Sequence, residues 1–303
     1  MELSLKGINV LILGGDKREL ELYSYLKKMG AQVLLIGFDA FENDTLSEPY
    51  YNISKSIKVS QVIITPLTGI ESNGTIYAPY SRHYINIFDA AILKSFTAGS
   101  ILIAGYLDDT VKKRLKKQNL ITCETREMDE ISILNAVPTA EGAIQYAMEQ
   151  SEITIHNSAS FVLGYGRCGK VLATTLQALG AQVTVLVRRP EILAWVEVYK
   201  MKPLMLNDLP KYISKADFIF NTIPFPILTG DILCHVKKDS LIIEIASYPG
   251  GIDMEAAKRL NIHTCVLPGL PGKIAPKTAG TILCKVYPSL ILSLLKGGVK
   301  NEV

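Results

Sequence analysis

Three hundred and three residues, at roughly 150 per domain, make about two domains. With 48% hydrophobic and 20% charged residues and a mean hydropathy of +0.23, the chain is too apolar to be disordered. Thirty-two basic against 29 acidic residues leave a net charge of +3, too little to imply nucleic acid by itself.

The first predicted strand, over 8–13, runs into Gly14-Gly15-Asp16-Lys17-Arg18 rather than a small-residue cleavage site, so it does not read as a secretory leader. A helix-like stretch ends at Met29-Gly30, and a second strand follows over 31–36. Further apolar, β-rich runs lie at 62–66, 100–104 and 119–123. The basic cluster within 112–117 has Val111 and Leu115 four apart and reads as the solvated face of a helix. A hinge is expected over 135–150, with Pro138 starting a helix that Thr139 to Gln150 would form.

From there the chain echoes itself. Phe161-Val162-Leu163-Gly164 and Leu179-Gly180-Ala181-Gln182 repeat Ile12-Leu13-Gly14 and Met29-Gly30-Ala31-Gln32 at a constant offset, 164 − 14 and 180 − 30 both being 150. The runs at 218–224, 240–244 and 261–265 answer the three later runs of the first half in order. This βαβ alternation predicts an α/β chain: two doubly wound, Rossmann-like parallel-sheet domains facing a shared cleft. The expected boundaries are 1–135 and 136–284, with a helix near 285–303 packing back onto the first domain. No run of about 20 near-continuous apolar residues is found. The nearest, 287–295, is short, contains Pro288 and follows Lys285, so no membrane segment is expected.

The second half carries Gly164-Tyr165-Gly166-Arg167-Cys168-Gly169 between a predicted strand and a predicted helix. The first glycine allows a tight turn, the second lets pyrophosphate reach the backbone, and the third permits close helix–strand packing. The first half holds Asp16 and Glu19 at the positions of Gly166 and Gly169. Carboxylates there would repel pyrophosphate, so only the second half is expected to bind a dinucleotide. The next strand ends in Val187-Arg188-Arg189-Pro190, with no carboxylate before Glu191. Two guanidiniums suit a 2′-phosphate and predict NADP over NAD; solvated loop arginines are the alternative. Thr222, Pro224 and Ala246, at later strand ends, complete the expected cofactor set. Cys168 is either a thiol activated by the helix N-terminus or a small apolar packing residue. The five cysteines (Cys123, Cys168, Cys234, Cys265, Cys284) and four scattered histidines form no metal-ligand pattern, and reduced cytoplasmic thiols are expected.

Two α/β domains with one cofactor resemble the D-2-hydroxyacid dehydrogenases. That family's catalytic arginine and Pro-His pair are missing from the loops after the fifth and sixth strands of the second half. Those loops read Ala246-Ser247-Tyr248-Pro249-Gly250-Gly251, then Pro268-Gly269-Leu270-Pro271-Gly272-Lys273 and Ala275-Pro276-Lys277-Thr278-Ala279-Gly280. Together with Gly14-Gly15-Asp16-Lys17-Arg18 and Asn135-Ala136-Val137-Pro138-Thr139-Ala140-Glu141-Gly142, they resemble the family of dipicolinate synthase A subunits along essentially the whole chain. That family often has arginine where Tyr248 stands. The resemblance implies NADP-dependent oxidation of a dihydrodipicolinate-type intermediate of the lysine pathway during sporulation. It further implies the mother-cell cytoplasm and partnership with a flavoprotein-like B subunit; a homo-oligomer is also expected, and the charge, apolar runs and Cys/His spacing read above give no nucleic acid, membrane or metal as partner.

A dicarboxylate substrate calls for cations and N–H donors. The candidates at strand ends and the hinge are Asp16, Arg18, Thr68, Thr139, Lys273 and Lys277. Arg18 is expected to clamp a carboxylate, and Lys277 to move a proton or hold the second carboxylate. Glu141 would hold the hinge or orient Lys277, and Thr139 would donate a hydrogen bond. Alternatives at this stage are another NAD(P)-dependent oxidoreductase of a small carboxylic or imino acid, and a non-catalytic nucleotide-sensing subunit.

Overall fold

The computed structural model describes residues 3–41 and 52–297. They divide into two compact units: one runs up to Ser132 and resumes at Ala275, and the other is Ile133–Ile274.

The first unit alternates strand and helix through β1 (Asn9–Leu13), α1 (Lys17–Lys28), β2 (Gln32–Ile36), α2 (Ile53–Val59), β3 (Val62–Ile64), α3 (Ala90–Leu93), β4 (Ile101–Ala104), α4 (Asp109–Lys116) and β5 (Ile121–Glu124). α5 (Asp129–Glu149) carries the chain into the second unit. There follow β6 (Ala159–Leu163), α6 (Arg167–Ala178), β7 (Gln182–Val187), α7 (Pro190–Val198), β8 (Lys202–Met205), α8 (Leu209–Tyr212), β9 (Phe218–Asn221), α9 (Gly230–Leu233), β10 (Leu241–Glu244), α10 (Met254–Arg259), β11 (His263–Val266) and α11 (Leu270–Ile274). α12 (Pro276–Leu295) returns to the first unit.

Both sheets are parallel throughout, with central strands such as β1, β3, β4, β9 and β10 buried along their length. Such strands accept Val, Ile and Leu on both faces, which absorbs the apolar surplus. Their orders differ. The first sheet runs β2-β1-β3-β4-β5, and the second β11-β10-β9-β6-β7-β8. The halves are therefore related rather than identical: β8, at the edge of the second sheet, has no counterpart among the described residues of the first. In each sheet the order reverses beside its first strand, between β1 and β3 and between β6 and β9. Ligands of open α/β sheets bind at such switch points, outside the carboxyl ends of the strands.

Three expectations are corrected. Pro138 does not start a helix: α5 begins nine residues earlier, at Asp129, and continues through Pro138. The missing proline N–H removes one rung, and the Thr139 hydroxyl donates to the Asn135 carbonyl at 2.7 Å one position later. Residues 275–284, assigned to the second domain, belong to the first unit. Gly280 makes that packing possible, because a Cβ there would come 2.6 Å from the Glu21 side chain and 2.9 Å from the Arg18 carbonyl on α1. Finally, α12 is long and apolar enough to cross a membrane by length and composition, with 56% of its most apolar window buried. Tyr287, Leu290, Ile291 and Leu294 join the core formed with α1 and β1. The expected helix over 298–303 lies outside the described residues.

Candidate functional site

At the second sheet's switch point, the three glycines after β6 differ in what surrounds them. Gly164 turns the chain at φ +97°, where a Cβ would come 2.5 Å from Thr222 Oγ1. A Cβ at Gly169 would collide with the Gly164 carbonyl oxygen, so the first turn of α6 lies hard against the strand end. Gly166 has nothing within 4 Å of its Cβ position. It is the N-cap of α6, and no side chain caps that helix. Open space, uncapped backbone donors and the positive end of a helix together fit a pyrophosphate. Tyr165 is buried behind the loop, with Lys170 Nζ 5.8 Å from its ring centroid, and Arg167 is exposed. Burial pushes the Cys168 thiol up to about 11. That direction is the opposite of an activated thiol and agrees with a packing role.

Arg188 and Arg189 are exposed where β7 ends, and Arg189 Nε lies 3.5 Å from Glu191 Oε1. Thr222, at the end of β9, donates its hydroxyl to the Leu163 carbonyl at 2.8 Å and so ties β9 to β6. Pro224 is exposed beyond it. The Ala246 N–H is held by Glu244 Oε1 at 3.0 Å.

That last contact exposes a pair absent from the expected set. Glu244, only 3% exposed, accepts both Asn221 Nδ2 at 3.0 Å and the Gly251 N–H at 2.8 Å. Burial raises its pKa, against the hydrogen bonds from Asn221, Gly251 and Ala246. The knot closes the loop from Ala246 to Gly251 over the ends of β9 and β10. It leaves Tyr248 at the tip, 97% exposed. The available sequence signal was one polar residue closing each apolar strand, in FIFN and LIIE.

The first sheet's switch point is built differently. Asp16 is the N-cap of α1 and forms a capping box with Glu19. Asp16 also holds Arg18 side-on, with Nε to Oδ1 and Nη2 to Oδ2 both 2.9 Å. Arg18 is only 5% exposed. Burial pulls its pKa down, but the Asp16 hydrogen bond and the Glu19 and Asp16 charges outweigh that and hold it charged. Glu19, fully enclosed, accepts the Asp16 N–H at 2.8 Å and the Leu67 N–H at 3.3 Å, linking the loops after β1 and β3. Burial pushes its carboxyl up to about 7, against the pull of Arg18. Tyr287 of α12 is buried beside it and shares a 3.0 Å hydrogen bond with Thr125 Oγ1. Arg18, expected to clamp a carboxylate, has its Nε and Nη2 engaged by Asp16, which leaves the Nη1 side. Thr68 is exposed in the turn after Leu67.

The remaining candidates lie on α5, α11 and α12. Thr139 has committed its donor to Asn135, so it can only accept. Glu141 is exposed on α5, Lys273 on α11 and Lys277 in the first turn of α12. Gly142, beside Glu141, makes room for Leu270 and Ile274, so that α11 packs on α5.

Residues 9–126 match the family model described as the N-terminal domain of the dipicolinate synthase A subunit. Over 296 residues the chain is 32% identical to the dipicolinate synthase A subunit of Bacillus subtilis (strain 168), covering 96% of this chain and 98% of the relative. The chain belongs to the family of dipicolinate synthase A subunits. The crystal structure of the dipicolinate synthase A subunit from Bacillus halodurans superimposes with a TM-score of 0.90 at 32% identity, covering 95% of this chain and 99% of that one. A transhydrogenase from Sinorhizobium meliloti, at 17% identity and TM-score 0.68 over 95% of this chain and 94% of its own, shares the fold. The dipicolinate synthase fold is thus one built on dehydrogenase-like α/β units.

Proposed function

We propose that this member of the dipicolinate synthase family is an NADP-dependent oxidoreductase, converting a dihydrodipicolinate-type dicarboxylate to aromatic pyridine-2,6-dicarboxylate. The reaction runs in the cytoplasm of a sporulating cell, together with a second, partner subunit. The observation that carries this reading is the uncapped N-terminus of α6 over open Gly166, at the switch point of its sheet. When bound, the nicotinamide supplies a hydride acceptor. Oxidising the dihydropyridine ring removes one hydride and one proton, and the gain of aromaticity supplies driving force, so alignment matters more than a strong base.

The chain's own residues then divide the work. Backbone N–H groups of 166–169 hold the pyrophosphate, and Arg188 with Arg189 pairs the 2′-phosphate. Thr222, Asn221 and Glu244 keep the strand-end loops in place. Among the substrate candidates, Lys277 takes the proton or a carboxylate, and Lys273, Thr68 and the Nη1 side of Arg18 offer donors. Glu141 and Thr139 are assigned to the α5 segment, as acceptors.

The test supplies freshly generated dihydrodipicolinate with NADP or NAD and follows the ultraviolet absorption of the pyridine product. Product should form with NADP, and Arg188→Ala/Arg189→Ala should weaken NADP about 10- to 30-fold while leaving NAD unchanged, as expected for one or two lost charge-assisted contacts. Equal use of NAD and NADP overturns the NADP assignment. Tight NADP binding without product overturns the oxidation. Lys277→Ala should lower kcat at least about tenfold with NADP affinity retained; near-normal turnover removes Lys277 from the mechanism.

A further inference from the structure

Where β6, β7 and β8 begin, at the end of the second sheet opposite the glycine loop, lies a cavity of about 350 Å³. That volume is within the range of small-molecule sites. Register partners in a parallel sheet share a face, so Phe161, Thr184 and Lys202, paired across β6, β7 and β8, form one row of its wall. Tyr212, which ends α8, and Lys215, in the turn before β9, also line it.

Three cations line this cavity, Lys200, Lys202 and Lys215, and no carboxylate does. Among the described residues none of the three has an ion pair. Asp208 and Asp217, on either side of Tyr212 and Lys215 in the chain, are taken by Lys211 and Lys237. The Nζ atoms of Lys202 and Lys215 both lie 5.4 Å from the Tyr212 ring centroid. Like charges gathered at one ring repel each other until an anion joins them. Thr184 is only 5% exposed, and among the described residues no hydrogen bond engages its hydroxyl. A buried hydroxyl without a partner is costly, and a ligand oxygen would supply one.

Lys200 adds an observation of another kind. Among the described residues, four other than glycine have positive φ, and three are asparagines: Asn119, Asn157 and Asn261. Asparagine tolerates that region better than residues with longer side chains. The fourth is Lys200, at φ +58°. It follows the end of α7, and Gln177 Nε2 donates to its carbonyl at 3.2 Å and to that of Tyr199 at 2.9 Å. A lysine kept where the chain elsewhere places asparagine is backbone strain of the kind retained at ligand sites.

Ammonium groups act as point charges and lack the fork that matches a planar carboxylate. A phosphate group offers three acceptor oxygens and nearly two negative charges. We propose that this cavity is a second small-molecule site, which takes a phosphate group, free or carried by a small organic molecule, on Lys200, Lys202 and Lys215 with Thr184 as a further donor. The glycine loop and Arg188 lie at the other ends of these strands, and β7 alone spans six residues, roughly 17 Å. The site is therefore independent of the proposed cofactor and reaction.

Calorimetry of the full-length chain at constant ionic strength, with phenyl phosphate and with inorganic phosphate, should show binding with a Kd below about 1 mM. The tighter of the two tells whether the group comes free or on a molecule. Lys202→Ala/Lys215→Ala should weaken that binding at least about tenfold. The fold should tolerate the change, because both side chains are exposed. Lys200→Asn should weaken binding several-fold while its urea midpoint holds or rises, a split that a merely structural lysine would not give. Labelling with acetic anhydride, read by mass spectrometry, should find Lys202 and Lys215 protected by the ligand. Exposed Lys113, in the other unit, should be labelled as before. Failure of both phosphates to bind overturns the proposal. So does binding that the double alanine variant retains, which would place the anion elsewhere, at the uncapped start of α6. Tighter binding of pyridine-2,6-dicarboxylate at the same lysines overturns the choice of phosphate.

Discussion

The two units pose the same local problem, a helix starting at a sheet's switch point, and solve it in opposite ways. α1 opens with a carboxylate cap, a reciprocal Glu19 contact and a buried arginine pair, so its backbone donors are satisfied from within. α6 opens on a glycine with no side-chain cap and empty space at the Cβ position, so its donors await an external anion. A helix N-terminus therefore becomes a ligand site only when the chain declines to cap it. In this protein a few residues decide which unit presents an uncapped helix start.

The contrast can be broken from either side. Asp16→Ala removes both a helix cap and the partner of a buried guanidinium, and should destabilise the protein by about 4 kcal/mol in urea unfolding. NADP affinity should stay within about twofold of wild type, since the change lies in the other unit. Gly166→Asp gives α6 the cap that α1 has. Because that Cβ meets no atom within 4 Å, the fold should survive, while NADP binding measured by calorimetry should weaken about 100-fold or more, or about 3 kcal/mol.

The third test uses pH. Burial sets Glu19 at about 7 in the folded chain, above its ordinary 4.5. A carboxyl raised in this way contributes stability that is fully present below its unfolded pKa and lost as pH rises through about 7. Wild type should therefore lose about 2 kcal/mol relative to Glu19→Gln between pH 5 and 7, read from urea midpoints at each pH. A difference that does not change with pH would show that Glu19 stays ionised beside Arg18.

Much of the fold was legible because its signals are local. Apolar runs of four or five residues, separated by helix-length spacers with Gly stops, specify a parallel α/β chain. The spacing Gly164, Gly166, Gly169 marks its own turn, since Gly164 and Gly169 answer to each other and to the end of the adjoining strand, while Gly166 has open space at its Cβ position. The candidate site was legible on that side only. On the other side, the identities of Asp16, Arg18 and Glu19 were read correctly as different from a cofactor loop. Their geometry was not, because a charged side chain at a helix start looks the same in sequence whether it faces a ligand or its neighbour two residues away.

What the sequence determined by itself was the class of fold, the duplicated βαβ order and the half whose glycine loop leaves a helix start uncapped. Each of these depends on periodicity or on conformational freedom at single positions. Only the tertiary structure decided the strand orders, the return of α12 to the first unit and the Pro138 crossing inside α5. It alone also brought Asn221 to Glu244, and Glu19 to the Leu67 N–H 48 residues away. These rest on contacts between distant segments, whose free energy comes from burial and hydrogen bonding once the sheets are assembled. No local pattern carries that information.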